Sequence, residues 1–287
     1  MSKTILVTGA TGNLGGAVAE ALAARGFRVR AASRHPEKVA AKEAVEAVSL
    51  DFEDPSTFDG ALAGVEGAFL IAPPMDPEAP AKLKPLIKKA KTIGVEHIVF
   101  TSALGVDQNE QAPLRVIERA LMASGVHYTI LRPNFFMENF STGFVAPMIT
   151  HNGGIFLAAD DAKTSFISTR DIAKVAAIAF AAQHRGKEYN LTGPEALDHT
   201  QVAGLIGEAV QKKIAYHALA EEAMLQGARD NGMPEPAVQY MAVLYGVVRA
   251  GYMAVVTDDV ERVTGHKPVA FAEFVKANAN CWKTGQA

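Results

Sequence analysis

The chain has 287 residues, and its 28 lysines and arginines against 31 aspartates and glutamates leave a net charge of −3. That balance removes any general electrostatic reason to bind nucleic acid or an anionic membrane, and a single cysteine, Cys281, excludes an internal disulfide and a cysteine-based zinc site. Hydrophobic residues at 49% suffice for an unstapled core in one large domain or two.

In chain order, Thr4–Thr8 reads as a buried strand. Leu14–Arg25 carries Ala, Leu and Val at helical spacing, with Gly26 at a C′ position. Arg28–Ser33, Ala44–Leu50 and Ala68–Ala72 read as strands two to four. Lys82–Ile93 is helical, with Pro85 expected near its first turn. His97–Thr101 is a fifth strand, Val116–Ala123 lies in the next helix, and Tyr128–Arg132 is a sixth strand. Strands alternating with helices mean βαβ units, and right-handed crossovers make the expected fold class α/β with a doubly wound parallel sheet. Beyond Pro133 the alternation loosens. Asp171–His184, Thr200–Gln211, Glu221–Gly232, Val238–Arg249, Thr257–Val263 and Phe271–Trp282 read as helices, and Glu188–Leu191 as a strand. The expected organisation is a nucleotide-binding core over 1–133 and a smaller, mostly helical substrate-binding portion over 134–287. Elements around 160–192 are expected to return to the core.

The strongest motif sits between the first strand and the first helix: Gly9-Ala10-Thr11-Gly12-Asn13-Leu14-Gly15-Gly16. In that context glycines serve a tight turn, a close backbone approach to a pyrophosphate, and helix–strand packing. Amides at the helix N-terminus meet the phosphate charge. Gly9, Thr11, Gly12, Asn13, Leu14 and Gly15 are the candidate dinucleotide contacts. The ending Gly15-Gly16-Ala17 lacks the Gly-Lys-Ser/Thr of a P-loop. After strand two, where an NAD site usually places an acid for the ribose, the chain has Ser33-Arg34-His35-Pro36-Glu37-Lys38. A guanidinium there can pair with a 2′-phosphate. NADP(H) is therefore expected over NAD(H), with Arg34 as discriminator and Ser33 and Lys38 in support. Asp51 and Phe52 are placed to meet the adenine, or alternatively form a strand-end turn.

Together with later segments, these residues resemble the NmrA-like group of atypical short-chain dehydrogenase/reductases. The later segments are Phe69–Pro74, His97-Ile98-Val99-Phe100-Thr101-Ser102, Tyr128–Asn139, Phe166–Ala173 and Thr257–Glu261. Within the group the chain looks nearest the triphenylmethane reductase and quinone reductase branch. The resemblance implies a Rossmann fold, NADP(H) binding and a substrate cleft over the nicotinamide. Ala72, Pro73 and Pro74 would then wall the cofactor crevice, Thr101, Ser102 and Ala103 its rim, and Pro133, Asn134 and Phe135 would meet the carboxamide. Phe136, Met137, Asn139, Phe140 and Tyr245 are the candidate substrate contacts, although aromatic residues at this density also build cores. Ser102 is the one candidate catalytic side chain, and a lone serine there is more often structural.

The chain departs from carbonyl-reducing relatives in one respect. Those use Tyr-x-x-x-Lys on a helix, which brings phenol and ammonium onto one face; the ammonium lowers the tyrosine pKa so that it can pass a proton to an alkoxide. None of the six tyrosines here has lysine four residues later, and Leu114 and Glu118 stand where the pair is expected. Two readings follow. The protein is an NADPH-dependent oxidoreductase passing hydride to a hydrophobic aromatic electrophile such as a quinone, iminium ion or cationic dye, or it is a non-catalytic NADP(H) sensor of NmrA type. No metal is expected, since the eight histidines show no paired ligand spacing. The lysine run Lys82, Lys84, Lys88, Lys89 and Lys91 reads as a solvated helix face. The partner is expected to be a small aromatic molecule, the assembly a monomer or homodimer, and the location cytoplasmic, with no nucleic acid and no membrane.

Overall fold

A computed structural model describes residues 2–40 and 42–283. In chain order it shows β1 (Thr4–Val7), α1 (Asn13–Ala24), β2 (Arg28–Ser33), β3 (Val45–Ser49), α2 (Thr57–Leu62), β4 (Gly67–Ile71), α3 (Ala79–Ile93), β5 (His97–Thr101), α4 (Pro113–Ala123) and β6 (His127–Pro133). There follow α5 (Glu138–Ser141), α6 (Ala146–Asn152), β7 (Gly154–Leu157), α7 (Thr169–Ala179), β8 (Lys187–Leu191), α8 (His199–Val210) and β9 (Ala215–Ala218). The last elements are α9 (Glu221–Asp230), α10 (Glu235–Arg249), α11 (Asp259–Thr264) and α12 (Phe271–Asn278). The chain divides into two compact units, one of residues 1–133 and 169–190, the other of 134–168 and 191–287.

The first unit is built on a seven-stranded sheet in the order β3-β2-β1-β4-β5-β6-β8. Every pairing from β3 across to β6 is parallel. This is the α/β, Rossmann-type architecture expected from the alternation. Strands buried on both faces need no alternation of polarity, which is why β1, β4 and β5 read as plain apolar runs. On one face Leu6, Leu70, Ile98 and Phe100 pack with Phe58 and Leu62 of α2, Leu83, Leu86 and Ile87 of α3, and Ile117 and Leu121 of α4. Truncating one of these leucines to alanine would cost about 2–5 kcal/mol. The intervening side chains of β1 point to the other face, where α1 packs along α7. Chain order reverses between β1 and β4, and an open α/β sheet binds ligands in the crevice at the carboxyl ends of the strands at such a point.

Two local expectations change. The helix read as starting at Lys82 starts at Ala79, with Pro80 in its first turn, so Pro85 is interior. It is tolerated because Pro85 and Ala81, whose carbonyl loses its partner, are both exposed and water replaces the missing bond. The short helix α2 carries no full apolar stripe and was not visible in the sequence; burial of Phe58, Ala61 and Leu62 fixes it.

In the second unit, β7 and β9 form a separate two-stranded parallel sheet, which four-residue segments do not announce. An aromatic core gathers around Phe140, edge-on to Phe166 at 5.2 Å and to Phe271 at 5.5 Å. Helix α8 is fixed by a reciprocal capping box between Asp198 and Gln201. Among the described residues no single helix is long and apolar enough to cross a membrane.

Candidate functional site

The first unit's rim begins where β1 ends. Thr8 is fully buried. Its amide donates to the Phe69 carbonyl at 3.0 Å, and the Ile71 amide donates to its hydroxyl at 2.9 Å. One threonine thus sews the ends of β1 and β4 together at the switch point. Gly9 then turns with φ +64°, a conformation that disfavours a β-carbon. The Ala10 amide donates to the Ala32 carbonyl at 3.2 Å and ties the loop to β2. A β-carbon on Gly15 would lie 2.2 Å from the Gly9 carbonyl oxygen, so only glycine lets α1 approach its own loop.

The first intrahelical bond of α1 runs from the Gly16 amide to the Gly12 carbonyl at 2.9 Å. The Leu14 and Gly15 amides precede that ladder. Gly12 caps the helix without a side chain, and the first turn holds no acid. No acidic side chain of that first turn offsets the positive end of the helix dipole.

At the end of β2 the Ser33 hydroxyl accepts from the His35 amide at 3.0 Å, which leaves its proton to donate elsewhere. Glu37 pairs with His35 at 3.3 Å. Arg34 and Lys38 are exposed, and neither has an ion-pair partner among the described residues. An arginine left free while the nearest carboxylate engages another residue can receive a phosphate. After β3, the Asp51 amide donates to the Thr57 hydroxyl at 3.1 Å, and Asp51 Oδ1 accepts from the Glu53 amide at 3.0 Å. The turn reading of Asp51 is therefore met, with the second carboxylate oxygen left over. Phe52 is half-buried against the core. Ala72 and Pro73, after β4, are half-buried and Pro74 is exposed.

At the end of β5, Thr101 and Ser102 are buried, and neither hydroxyl oxygen reaches a partner with hydrogen-bond geometry. Ala103 is half-buried. The Ser102 amide donates to the Leu131 carbonyl at 2.8 Å and the Leu104 amide to the Pro133 carbonyl at 3.0 Å, which joins this rim to the end of β6.

Behind that rim lies a charge network that the sequence did not reveal. Glu118 on α4 is wholly buried. Arg132 of β6 donates to both its oxygens, Nε to Oε1 at 2.9 Å and Nη2 to Oε2 at 2.8 Å, and Arg115 Nη1 donates to Oε2 at 2.7 Å. Arg132 also binds Glu188, and Arg115 binds Glu110 at 2.9 Å. Desolvation alone would raise the Glu118 carboxyl. The Arg132 guanidinium, the nearby Ser102 hydroxyl and Arg115 together outweigh it and hold the group below the ordinary carboxylate value. Ser102 thus faces Glu118 closely enough to favour its charge without forming a well-directed bond. Glu118, which the sequence reading puts at the place of a relay lysine, is a buried anion paired with two arginines. Leu114 is packed against the core.

The second unit contains the segment from Asn134. Its side chain is fully engaged: Nδ2 donates to the Ser165 hydroxyl at 2.7 Å and the Met253 carbonyl at 2.8 Å, while Oδ1 accepts from the Phe135 amide at 2.9 Å. The Asn134 amide donates to the Leu191 carbonyl at 2.9 Å. The side chain braces the segment, and the backbone amides of both Asn134 and Phe135 are engaged within the chain. The reading of Met137 and Phe140 as substrate contacts is corrected. They are 1% and 2% exposed, and Phe140 sits inside the aromatic core. Phe136 and Asn139 are half-buried. The half-buried Phe135 ring meets the buried Tyr245 edge-on at 6.3 Å. Desolvation pushes the Tyr245 phenol well above its ordinary value, and Arg249, four residues on, is engaged with Glu221 and the Ala158 carbonyl. No tyrosine–cation relay forms there.

The model of the NmrA-like family matches residues 1–275. The chain belongs to that family. Among its relatives is an NAD(P)H azoreductase of Xenophilus azovorans, 32% identical and covering 96% of this chain and 98% of that protein. A solved NADPH-dependent quinone oxidoreductase of Escherichia coli, in complex with NADPH, is 27% identical with a TM-score of 0.80, covering 96% of this chain and 98% of that one. A triphenylmethane reductase of Citrobacter, at 24% identity, shares the fold with a TM-score of 0.83 over 98% of this chain and 100% of that one. Against this family background, the functional features that sequence reasoning missed are Thr8, the Arg115–Glu118–Arg132 triad and the Lys82 contacts described below. A buried arginine on a strand, directly before a proline, carries no sequence signal until its partner is known.

Proposed function

We propose that this NAD(P)H-dependent oxidoreductase prefers NADPH and delivers hydride to a flat, hydrophobic aromatic electrophile such as a quinone, iminium ion or cationic dye. The observation that carries the acceptor class is Glu118, charged, buried and locked between two arginines where a proton-relay lysine would stand. A carbonyl becoming an alkoxide needs a positioned proton donor. A quinone or a cationic acceptor takes hydride without one in that step, so catalysis rests on orientation. The azoreductase and the quinone oxidoreductase fit that reading by name.

The residues fit a dinucleotide. Gly9, Gly12 and Gly15 shape the loop, and the amides of the first turn of α1 face the pyrophosphate. Ser33, Arg34 and Lys38 receive the 2′-phosphate. Asp51 and Phe52 border the adenine, Ala72–Pro74 form a wall, and the Thr101 hydroxyl, without a partner of its own, accepts a polar group at the β5 end beside Ser102, which faces Glu118. When bound, the reduced nicotinamide supplies the hydride. Phe135, Phe136 and Asn139 are the acceptor-side candidates, with the buried Tyr245 backing the Phe135 ring edge-on.

The test is an acceptor panel of quinones, cationic dyes, azo compounds and simple ketones, run with NADPH and with NADH. Acceptor-stimulated NADPH oxidation with quinones or dyes, and none with ketones, is expected. Tight NADPH binding without turnover on any acceptor would overturn the catalytic reading in favour of a redox sensor.

A further inference from the structure

Lys82 was expected on a solvated lysine face, yet it is the half-buried member of that run that joins two loops. Its ammonium lies 2.9 Å from Glu53 Oε1 and 2.9 Å from Asp76 Oδ2. The Glu53 amide is held by Asp51 Oδ1, in the turn after β3. Asp76 Oδ1 in turn accepts from the Glu78 amide at 2.9 Å, in the loop after β4. A continuous chain of contacts therefore runs from the Asp51 turn through Glu53, Lys82 and Asp76 to the Pro73–Asp76 loop. That loop is under local strain, because Met75 is held at φ +51°, a conformation a side chain with a β-carbon rarely adopts without external support. The two carboxylates also raise the Lys82 pKa, Asp76 contributing more than Glu53.

We infer that Lys82 is a positioning residue for the adenosine half of the dinucleotide. It fixes the separation of the two loops that would border the adenine, and it does so without touching the ligand itself. The inference rests on the dinucleotide reading above. It predicts a particular pattern of loss. Without the ammonium, Glu53 and Asp76 repel, the two loops separate, and the adenosine end loses its walls. The nicotinamide end, at β5, and the glycine loop at the pyrophosphate are untouched.

The experiment is titration calorimetry with NADPH, NADH and adenosine 2′,5′-bisphosphate on wild type, Lys82→Met, Lys82→Arg and Glu53→Gln. Lys82→Met is expected to weaken all three ligands by a similar factor, about tenfold, with kcat at saturating NADPH within about twofold of wild type. Lys82→Arg should restore most of the affinity. Glu53→Gln removes only one arm, at an exposed carboxylate, and should weaken binding by about threefold. Unchanged affinity for adenosine 2′,5′-bisphosphate in both Lys82→Met and Glu53→Gln, with NADPH binding intact in wild type, would overturn the inference alone. A wild-type protein that binds neither NADPH nor NADH would overturn the dinucleotide reading instead.

Discussion

Arg34 and Arg132 belong to the same unit and stand at the carboxyl ends of their strands, but the molecule treats them in opposite ways. Arg132 is buried and paired with three carboxylates, Glu118, Glu188 and Asp107. Arg34 is exposed, and the acid nearest in sequence is engaged with His35. A buried guanidinium must be neutralised by the chain itself, because removal from water is far too unfavourable otherwise. An exposed guanidinium without a partner keeps its donors ready for a ligand. The difference separates charge that builds the fold from charge that the fold leaves unpaired at its surface, and it divides residues that look alike in sequence.

The largest predicted effect breaks the buried member of this comparison. Glu118→Ala leaves two guanidiniums without their shared anion and is expected to cost about 3–5 kcal/mol, measured by urea unfolding. Stability near wild type would mean the triad is not what holds α4 to β6. The carboxyl of Glu118 is held below its ordinary value, so its contribution is complete above about pH 4.5. It is lost as pH falls through the lower folded-state value, and wild type and Glu118→Gln should converge there.

A buried group without a counter-charge sharpens the contrast. His97 shares a 2.9 Å hydrogen bond with Thr129, and burial, the largest influence, lowers its pKa to about 4. It is neutral when folded at pH values where the unfolded chain takes up a proton. Its stabilising contribution is therefore present above about pH 6.5 and lost progressively toward pH 4, by at most about 3 kcal/mol. His97→Gln should flatten that part of a stability–pH curve measured by thermal unfolding. An unchanged slope would rule His97 out as its source.

The exposed member is tested by Arg34→Ala. NADPH affinity should fall about 10- to 100-fold, the worth of a charge-assisted pair, with NADH affinity unchanged and folding stability within about 0.5 kcal/mol of wild type. Equal losses of both cofactors would remove Arg34 as discriminator. The smallest effect belongs to Lys38→Ala, which should weaken NADPH by about two- to threefold and less at high salt, as read by titration at two ionic strengths.

The legible parts of the molecule were those encoded locally. The glycine loop and the strand runs Ile5–Val7 and Ile98–Phe100 each place their structure within a few residues, because turn sterics and burial act at short range. What was hidden depends on residues far apart in sequence. Glu118 meets Arg132 across 14 positions and Glu188 joins from 56 away. Asn134 is fixed by Met253 from 119 away. Phe140 looked like a pocket residue because nothing near it announces Phe271. Lys82 looked like its neighbours because charge alone does not tell a solvated lysine from one bridging two loops.

The buried triad also bears on which activities lie within mutational reach. Changing Glu118 to lysine would install one half of a carbonyl-reductase relay, with Leu114 still in place of the tyrosine, and would put a third cation beside Arg115 and Arg132 in place of the buried anion they share. The intermediate would be lost to unfolding before a new reaction could be selected, unless Arg115 and Arg132 were replaced first. The same contacts that hold α4 in place thus fence this chain off from a neighbouring chemistry that its fold could otherwise host.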